Sequence, residues 1–331
     1  MKARPTNVTQ TTSSTPDVLV LFEHPEWQKP LFAALETKGV RYDTLDLKKA
    51  AFVAGDLPAA PVVFNQASPS AYVRGNARAV PLALAYMKSL EAAGRVVLNG
   101  HRAFALELSK TAQAALLGRL GLRTPRSIAF NDVDALRDRL AKEKSWRWPA
   151  LLKPEQGGSG ARIVKLGSYD ELRAHVETTK GIWEPDGVLL LQEYFEHDHE
   201  RGIVRMEFLG GELLYAMRVV SHGRYNLCPS EVCNPETGDG ICEIPAPTPA
   251  PPVEFYAFKE VPAEAVAAGK RIVDAGAIDV GGIEYLESNG ERVFYDVNAN
   301  SNLRGPIARE HGFDPFERVV EWLMARVRAA R

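Results

Sequence analysis

Cysteine is scarce in this 331-residue chain, and its three thiols, Cys228, Cys233 and Cys242, all fall in one short segment. An odd count in a chain this long argues against a disulfide framework. His222 lies nearby, but the spacing fits no standard zinc pattern, so reduced loop thiols are expected. Net charge is also small: 40 Lys and Arg against 42 Asp and Glu leave −2. No basic field of the kind used for nucleic acid results, and no nucleic-acid partner is expected. No apolar run is long enough to span a bilayer, which excludes a membrane partner of the helical-span type. Met1 to Asp17 is rich in Thr and Ser and has no apolar core segment. Residues 1–16 therefore read as a disordered leader rather than a secretory signal, and a cytoplasmic location is the default expectation. Two familiar signatures are missing as well. There is no Gly-Lys-Ser/Thr, and no glycine fingerprint leading from a strand into a helix. No internal repeat is visible.

What is present is the texture of a soluble globular protein, 45% hydrophobic and 25% charged, long enough for two or three domains. Residues 17–100 alternate short apolar strands with helical stretches. Strands are expected at 17–22, 42–47, 61–64 and 96–98, with helices at 26–38 and 77–93, which suits a small parallel α/β domain. A helix is expected over 103–121, and another from Asn131 or Asp132 to about Lys144. Beyond Pro149 the pattern turns strand-rich, with strands at 150–153, 161–166, 188–193, 203–209 and 213–220 and helices at 169–179 and 262–276. Residues 221–261 are irregular and rich in proline, and so long a loop inside a domain is usually functional. A C-terminal helix begins near 314.

Three segments carry chemistry. The first is Phe294-Tyr295-Asp296-Val297-Asn298-Ala299-Asn300. On a strand, Asp296 and Asn298 project to one side. Gly282-Ile283-Glu284-Tyr285-Leu286 reads as the partner strand, joined through Ser288-Asn289-Gly290. Glu284, Asp296 and Asn298 are hard oxygen donors of the kind Mg²⁺ takes; an amphipathic hairpin with solvated polar residues is the plainer alternative. The second is Lys153-Pro154-Glu155-Gln156-Gly157-Gly158-Ser159-Gly160. A strand-end lysine and a glycine loop can hold phosphate oxygens, although a plain turn has the same composition. The third is Val188 to Phe195, an apolar strand running into Gln192, Glu193, Tyr194 and Phe195. It suits an adenine pocket or an ordinary core strand.

Along the chain the order is lysine and glycine loop, base-binding strand, then acidic hairpin ending in Asp-x-Asn, and in that order the three segments resemble the ATP-grasp superfamily, most of all the branch holding ribosomal-protein glutamate ligases and glutathione-synthetase-like enzymes. The resemblance covers residues 17 to about 325 and is specific over 105–305. It implies an α/β fold, α+β in its C-terminal part. A parallel α/β domain (17–105) would precede a small central lid (106–195) and an antiparallel-sheet domain (196–331) containing the 221–261 loop. It implies ATP and two Mg²⁺, with Mn²⁺ able to substitute. Lys110 and Lys153 would bind phosphates under the loop of Gly157, Gly158, Ser159 and Gly160. Gln192, Glu193, Tyr194 and Phe195 would hold adenine, Arg205 and Arg218 would face the reacting groups, and Glu284, Asp296 and Asn298 would ligate metal. The ribose-binding acid stays open among Glu196, Asp198 and Glu200. Where many relatives have a Gly/Pro turn, this chain has Asn300-Ser301-Asn302-Leu303-Arg304, which faces the acceptor site in relatives. Asn300, Asn302 and Arg304 are thus substrate candidates, with Arg74 a further one. Arginine suits a carboxylate through its bidentate fork, though a surface salt bridge is an equal use for Arg304. His101, His197 and His199 are not needed by the chemistry and read as exposed loop residues.

The activity implied is ATP-dependent joining of a carboxylate to an amine through an acyl phosphate, with an amino acid or peptide substrate and a homodimer or homotetramer as assembly. A ligase acting on a protein tail and an inactive nucleotide-binding module are the alternatives.

Overall fold

The computed structural model describes residues 15–158, 160–223 and 253–331. Cys228, Cys233, Cys242, Ser159, the leader through residue 14 and most of the 221–261 segment lie outside the described residues.

Three sheets organise the chain. The first holds β1 (Val18–Phe22), β2 (Tyr42–Asp46), β3 (Val62–Gln66) and β4 (Val96–Leu98) in the order β2-β1-β3-β4. All pairs are parallel. Every residue of β1 and β3 is buried, as expected when helices cover both faces of a parallel sheet. Helices α1 (Pro25–Thr37) and α2 (Ala79–Ala92) supply that cover, and a 3₁₀ helix spans Pro69–Arg74.

The single helix expected over 103–121 is in fact two, α3 (His101–Glu107) and α4 (Lys110–Arg119). Ser109 divides them. Its backbone is extended and its Oγ accepts from the Ala112 N–H at 3.0 Å, a side-chain N-cap that starts a new helix. The Glu155 carboxylate lies at the same helix start, accepting from the Thr111 N–H at 3.0 Å and the Ser109 hydroxyl at 2.5 Å. An acid there is favoured by the helix dipole. The break places Glu107 at one helix end and Lys110 at the next beginning.

The second sheet holds β5 (Ser127–Phe130), β6 (Ala150–Pro154), β7 (Val164–Leu166) and β8 (Leu189–Glu193), antiparallel in the order β5-β8-β6-β7. Helices α5 (Val133–Leu140) and α6 (Tyr169–Thr178) begin at Asp132 and Ser168 caps. The first of these ends four residues before the expected Lys144. This sheet has a core of its own, with Phe130, Leu136, Leu152, Leu172 and Leu191.

The third sheet is antiparallel: β9 (Ile203–Leu209), β10 (Glu212–Val220), β11 (Glu254–Ala257), β12 (Val280–Ser288) and β13 (Glu291–Asn298), ordered β11-β10-β9-β12-β13. Strand β11 lies within the segment expected to be irregular. Helix α7 (Ala263–Ala275) packs one face so closely that a Cβ at Gly269 would lie 2.3 Å from the Phe208 ring. Helices α8 (Gly305–Glu310) and α9 (Pro315–Ala330) follow. Leu323 and Val320 of α9 share one core with Val20 and Phe64 of the first sheet and Tyr215 of the third.

Asn99 fastens these two sheets together. It is fully buried, with a left-handed φ of 50°. Its amide oxygen accepts from Asp279 and Val280 N–H at 2.9 and 3.0 Å, and its amide nitrogen donates to the Val280 carbonyl at 2.8 Å. Among the described residues no helix is long and apolar enough to cross a membrane.

Candidate active site

Strand register sets the site. Glu284 pairs with Arg205 on one side and Asp296 on the other, and Arg205 pairs with Met217. Directly opposite residues share a face of a sheet, so these four project together. Gly282, Glu207 and Asn298 form the neighbouring row on the same face. The alternate residues Met206, Ile283 and Val297 point the other way, into the core beneath α7. Arg218 is on that far face, opposite Val204. Its guanidinium packs on the Phe258 ring at 4.4 Å and it does not line the cavity. This corrects the role implied for Arg218 next to the γ-phosphate: one residue along a strand reverses the direction of the side chain.

Arg205 is held from three directions. It donates to Glu207 at 2.6 Å, to Glu284 at 2.9 Å and to the Ser301 hydroxyl at 3.0 Å. Gly282 gives it room, since a Cβ there would lie 2.7–2.9 Å from three guanidinium atoms. A bulge between β12 and β13 pairs Tyr285 with Phe294 and leaves Tyr295 unpaired. The extra residue turns the Tyr295 phenol back to the site, where it donates to Glu284 at 2.9 Å.

Two lysines complete the charge cluster. Lys110, first residue of α4, is ion-paired with Asp296. Lys153, at the end of β6, is buried with its ammonium 5.9 Å from the Tyr295 ring centre. Burial, then the nearby Lys110 charge, lowers Lys153 to about 8. Burial alone would raise the Asp296 carboxyl, but the charges of Lys110, Lys153 and Arg205 hold it below its ordinary value. Burial and the Asp296 charge push Glu284 up. Burial pushes Glu107 well above the carboxylate range.

These donors fit a hard divalent cation. The described residues contain no cluster of three His, Cys, Asp or Glu suited to a metal. Two carboxylates and an amide therefore need further oxygens to complete a shell, as Mg²⁺ sites built on substrate phosphates do. The Asn298 amide donates to Asp296 at 3.2 Å, and its oxygen accepts nothing from the described residues. Lys110 now satisfies the Asp296 oxygen that such a cation would take.

The second and third sheets, together with α1 and the residues after β3, enclose one cavity of about 980 Å³ around this cluster. At one end Leu151, Ile163 and Leu286 form apolar walls beside Gln192, Glu193, Tyr194 and Phe195. Gln192 is buried and donates to the Ser127 hydroxyl at 3.1 Å. Gly157, Gly158 and Gly160 line the roof. The roof rests on the 3₁₀ helix: Gln156 donates to the Pro69 carbonyl at 3.1 Å, and a Cβ on Gly158 would lie 2.6 Å from Ser70 Cβ. At the other end are Trp27, Phe255, Phe316, Asn300, Asn302 and Arg304. Arg304 lies 3.3 Å above the Phe255 ring and has no carboxylate partner among the described residues, and burial lowers it to about 10. His197 and His199 line the cavity rather than an exposed loop.

Arg74 stands apart. It does not line the cavity, and its guanidinium is bound by Glu23 at 2.6 and 3.2 Å, with Trp27 below it. Of the acids considered for ribose, Asp198 accepts from the Glu200 N–H at 2.9 Å, and none of the three lines the cavity. Sequence reasoning passed over Glu107, Glu207, Tyr295 and Ser301. Tyr295 and Ser301 sit within or next to the Asp-x-Asn segment, but only the bulge aims the tyrosine. Glu107 lies three residues before Lys110, hidden between two leucines in an apolar helix.

No family model matches the chain, and no curated protein does. Solved structures match along nearly its whole length. The ATP-grasp ligase PsnB in complex with a minimal precursor is 20% identical, with a TM-score of 0.64 over 94% of this chain and 99% of that one. An ATP-grasp RimK domain protein from Sphaerobacter thermophilus DSM 20745 is 15% identical, with a TM-score of 0.65 over 92% of this chain and 98% of that one. D-alanine–D-alanine ligase from Bacillus anthracis is 14% identical, with a TM-score of 0.63 over 95% of this chain and 98% of that one. What these proteins share with the chain, at such identities, is the fold. The chain has the ATP-grasp fold.

Proposed function

We propose that the protein is an ATP-dependent carboxylate–amine ligase acting on an amino acid or peptide. The observation that carries this reading is the convergence of Lys110 and Lys153 with Glu284, Asp296 and Asn298 under a glycine-lined roof. Phosphoryl transfer demands mainly positioning and neutralised charge. In this reading a substrate carboxylate oxygen attacks the γ-phosphorus of ATP, and the bond to the bridging oxygen breaks to release ADP. The acyl phosphate formed is attacked at its carbonyl carbon by an amine, phosphate leaves, and the nitrogen gives up its proton as the amide forms.

Lys110, Lys153 and Arg205 would offset phosphate charge through the reaction. Glu284, Asp296 and Asn298 would hold Mg²⁺, which supplies charge neutralisation on the phosphates when bound. The roof on the 3₁₀ helix would keep water from the acyl phosphate. PsnB has been solved with Mg and ADP and with precursor peptides. A peptide acceptor also suits the cavity end formed by Trp27, Phe255, Phe316 and Arg304.

A protein-tail substrate keeps the same chemistry and is separated by mass spectrometry of candidate proteins incubated with ATP and glutamate. The primary test is a phosphate-release screen of amino acids and short peptides in pairs, with product mass detection. Amine-dependent ADP release that disappears in Asp296→Ala, with the fold retained, is expected. Full turnover in that variant would overturn the metal assignment, and Mg-ATP binding without turnover on any pair would favour an inactive nucleotide-binding module.

A further inference from the structure

Among the substrate candidates, Arg74 alone stays out of the cavity. Its side chain is 6% exposed and faces Glu23, 1% exposed, which directly follows β1. All three guanidinium nitrogens are engaged. Nε and Nη2 donate to the two Glu23 oxygens at 3.2 and 2.6 Å, and Nη1 donates to the Ser70 hydroxyl at 3.0 Å. The Asn76 amide binds the same Glu23 carboxylate, and the Trp27 ring lies 4.5 Å from the face of the guanidinium. Ser70 is itself buried and shares a hydrogen bond of 2.8 Å with the Ser68 hydroxyl, which caps the 3₁₀ helix. Buried ion pairs add little net stability once desolvation is counted, so a forked one reaching on to a third residue suggests another use.

The glycine loop rests on this short helix. Gln156 reaches the Pro69 carbonyl before the glycines, and Arg162 lies 5.4 Å over the Tyr72 ring after them. Between the two, a Cβ on Gly158 would lie 2.6 Å from the Ser70 Cβ and 3.2 Å from its Cα and backbone nitrogen. Ser70 therefore limits how far the roof descends, and Arg74 fixes Ser70 from behind. We propose that Arg74 is a positioning residue: clamped on Glu23, it holds Ser70 at the height on which the glycine loop closes. Arginine suits the role because its in-plane N–H groups donate in several directions while its face stacks. What the loop covers rests on the ligase reading. Water attacking the acyl phosphate there would return the carboxylate and release phosphate, so a loose roof gives net ATP hydrolysis.

The test uses the full chain with Ser70→Ala and Arg74→Lys. The first removes the hydroxyl that Arg74 holds; the second keeps the charge beside Glu23 without the fork. Amide hydrogen exchange is followed in the loop after β6. Both variants are expected to open it about tenfold more often, the scale of one lost charge-assisted hydrogen bond, while β6 and β8 exchange as in wild type. The double variant should open it no further than Arg74→Lys alone, because the arginine acts through the serine. Unchanged loop exchange in both variants, or effects that multiply in the double variant, overturns the proposal. Unchanged exchange in Ser70→Ala suffices to do so where Arg74→Lys does not fold. With a substrate pair in hand, ADP released in excess of amide should rise about tenfold in both variants. A fall in turnover without that excess is what a merely structural role gives, and it also overturns the proposal. Loop exchange that quickens in a protein that joins no pair keeps the positioning role and counts against the ligase reading alone.

Discussion

Replacing Gly282 with alanine asks whether Arg205 is as tightly fixed as its contacts imply. A Cβ at this position would lie 2.7, 2.8 and 2.9 Å from Nη2, Nε and Cζ of Arg205. A long side chain normally yields to such a clash at small cost. Arg205 cannot, because each direction of its guanidinium is occupied: Glu207 at 2.6 Å, Glu284 at 2.9 Å and Ser301 at 3.0 Å. Any retreat strands Glu207, which is fully buried with one carboxylate oxygen already unpartnered. Breaking a buried ion pair by displacing one member costs about 3–5 kcal/mol. At about 2–4 °C per kcal/mol, the range for domains of 150–250 residues, Gly282→Ala should lower the melting temperature by roughly 6 °C or more. The matched control is Gly118→Ala in α4, where an added Cβ meets nothing within 4 Å. It should stabilise by about 0.5–1 kcal/mol through helix propensity. A double variant, Gly282→Ala with Arg205→Ala, should be little worse than Arg205→Ala alone, since the clash disappears with the guanidinium. Differential scanning calorimetry reads all four. If Gly282→Ala melts with the wild type and turns over normally, Arg205 is not pinned and the geometry argued for the cluster is wrong.

Lys153→Met should stabilise the ligand-free protein near pH 7 while reducing ligase turnover. The lysine falls from 10.5 to about 8 on folding, and at 1.36 kcal/mol per unit this costs about 3 kcal/mol. The sign follows from linkage: between about 8 and 10.5 the unfolded chain binds more protons, so stability from this group grows as pH rises through that window and is lowest below 8. Urea melts at pH 7 and 10 should differ less in Lys153→Met than in wild type, and an unchanged difference would refute the assignment. Arg218→Ala should leave turnover within about threefold of wild type, because its partner Glu287 is 3.9 Å away on the face turned from the cavity, a pair of the weak kind. A loss of about a hundredfold or more, on the scale of removing a group that stabilises the transition state, would restore the role the resemblance implied. Asp296→Ala should bind nucleotide more weakly in the presence of Mg²⁺ than wild type and equally well without it, measured by calorimetry; equal binding in both conditions would remove Asp296 from the metal set.

The hairpin was legible because its signals are local. Alternation along 280–288 and 291–298, with Asn289-Gly290 at the turn, fixes which residues share a face. The lysine at the end of β6 and the glycines after it were legible for the same reason. Two failures share a cause: they depend on a shift of one residue. Arg218 was carried over one position out of phase with the face that Arg205 uses. Tyr295 was given no role, and a bulge that no residue type announces turned it to the site. The 103–121 stretch has apolar residues throughout, so its pattern gave no reason to expect the Ser109 cap that splits it. Glu107 escaped notice because its neighbours in sequence are apolar and its partners come from residue 300.

The Asn99 clasp has a mechanical consequence. The parallel sheet and the large antiparallel sheet are joined by its hydrogen bonds and by a common core, and together they make the base of the molecule. The β5-β8-β6-β7 sheet keeps a separate core and touches that base through the Glu155 anchor, Gln156 and the Gly158–Ser70 approach. A swing of the smaller sheet away from that base would break the Gln156–Pro69 hydrogen bond and part Gly158 from Ser70.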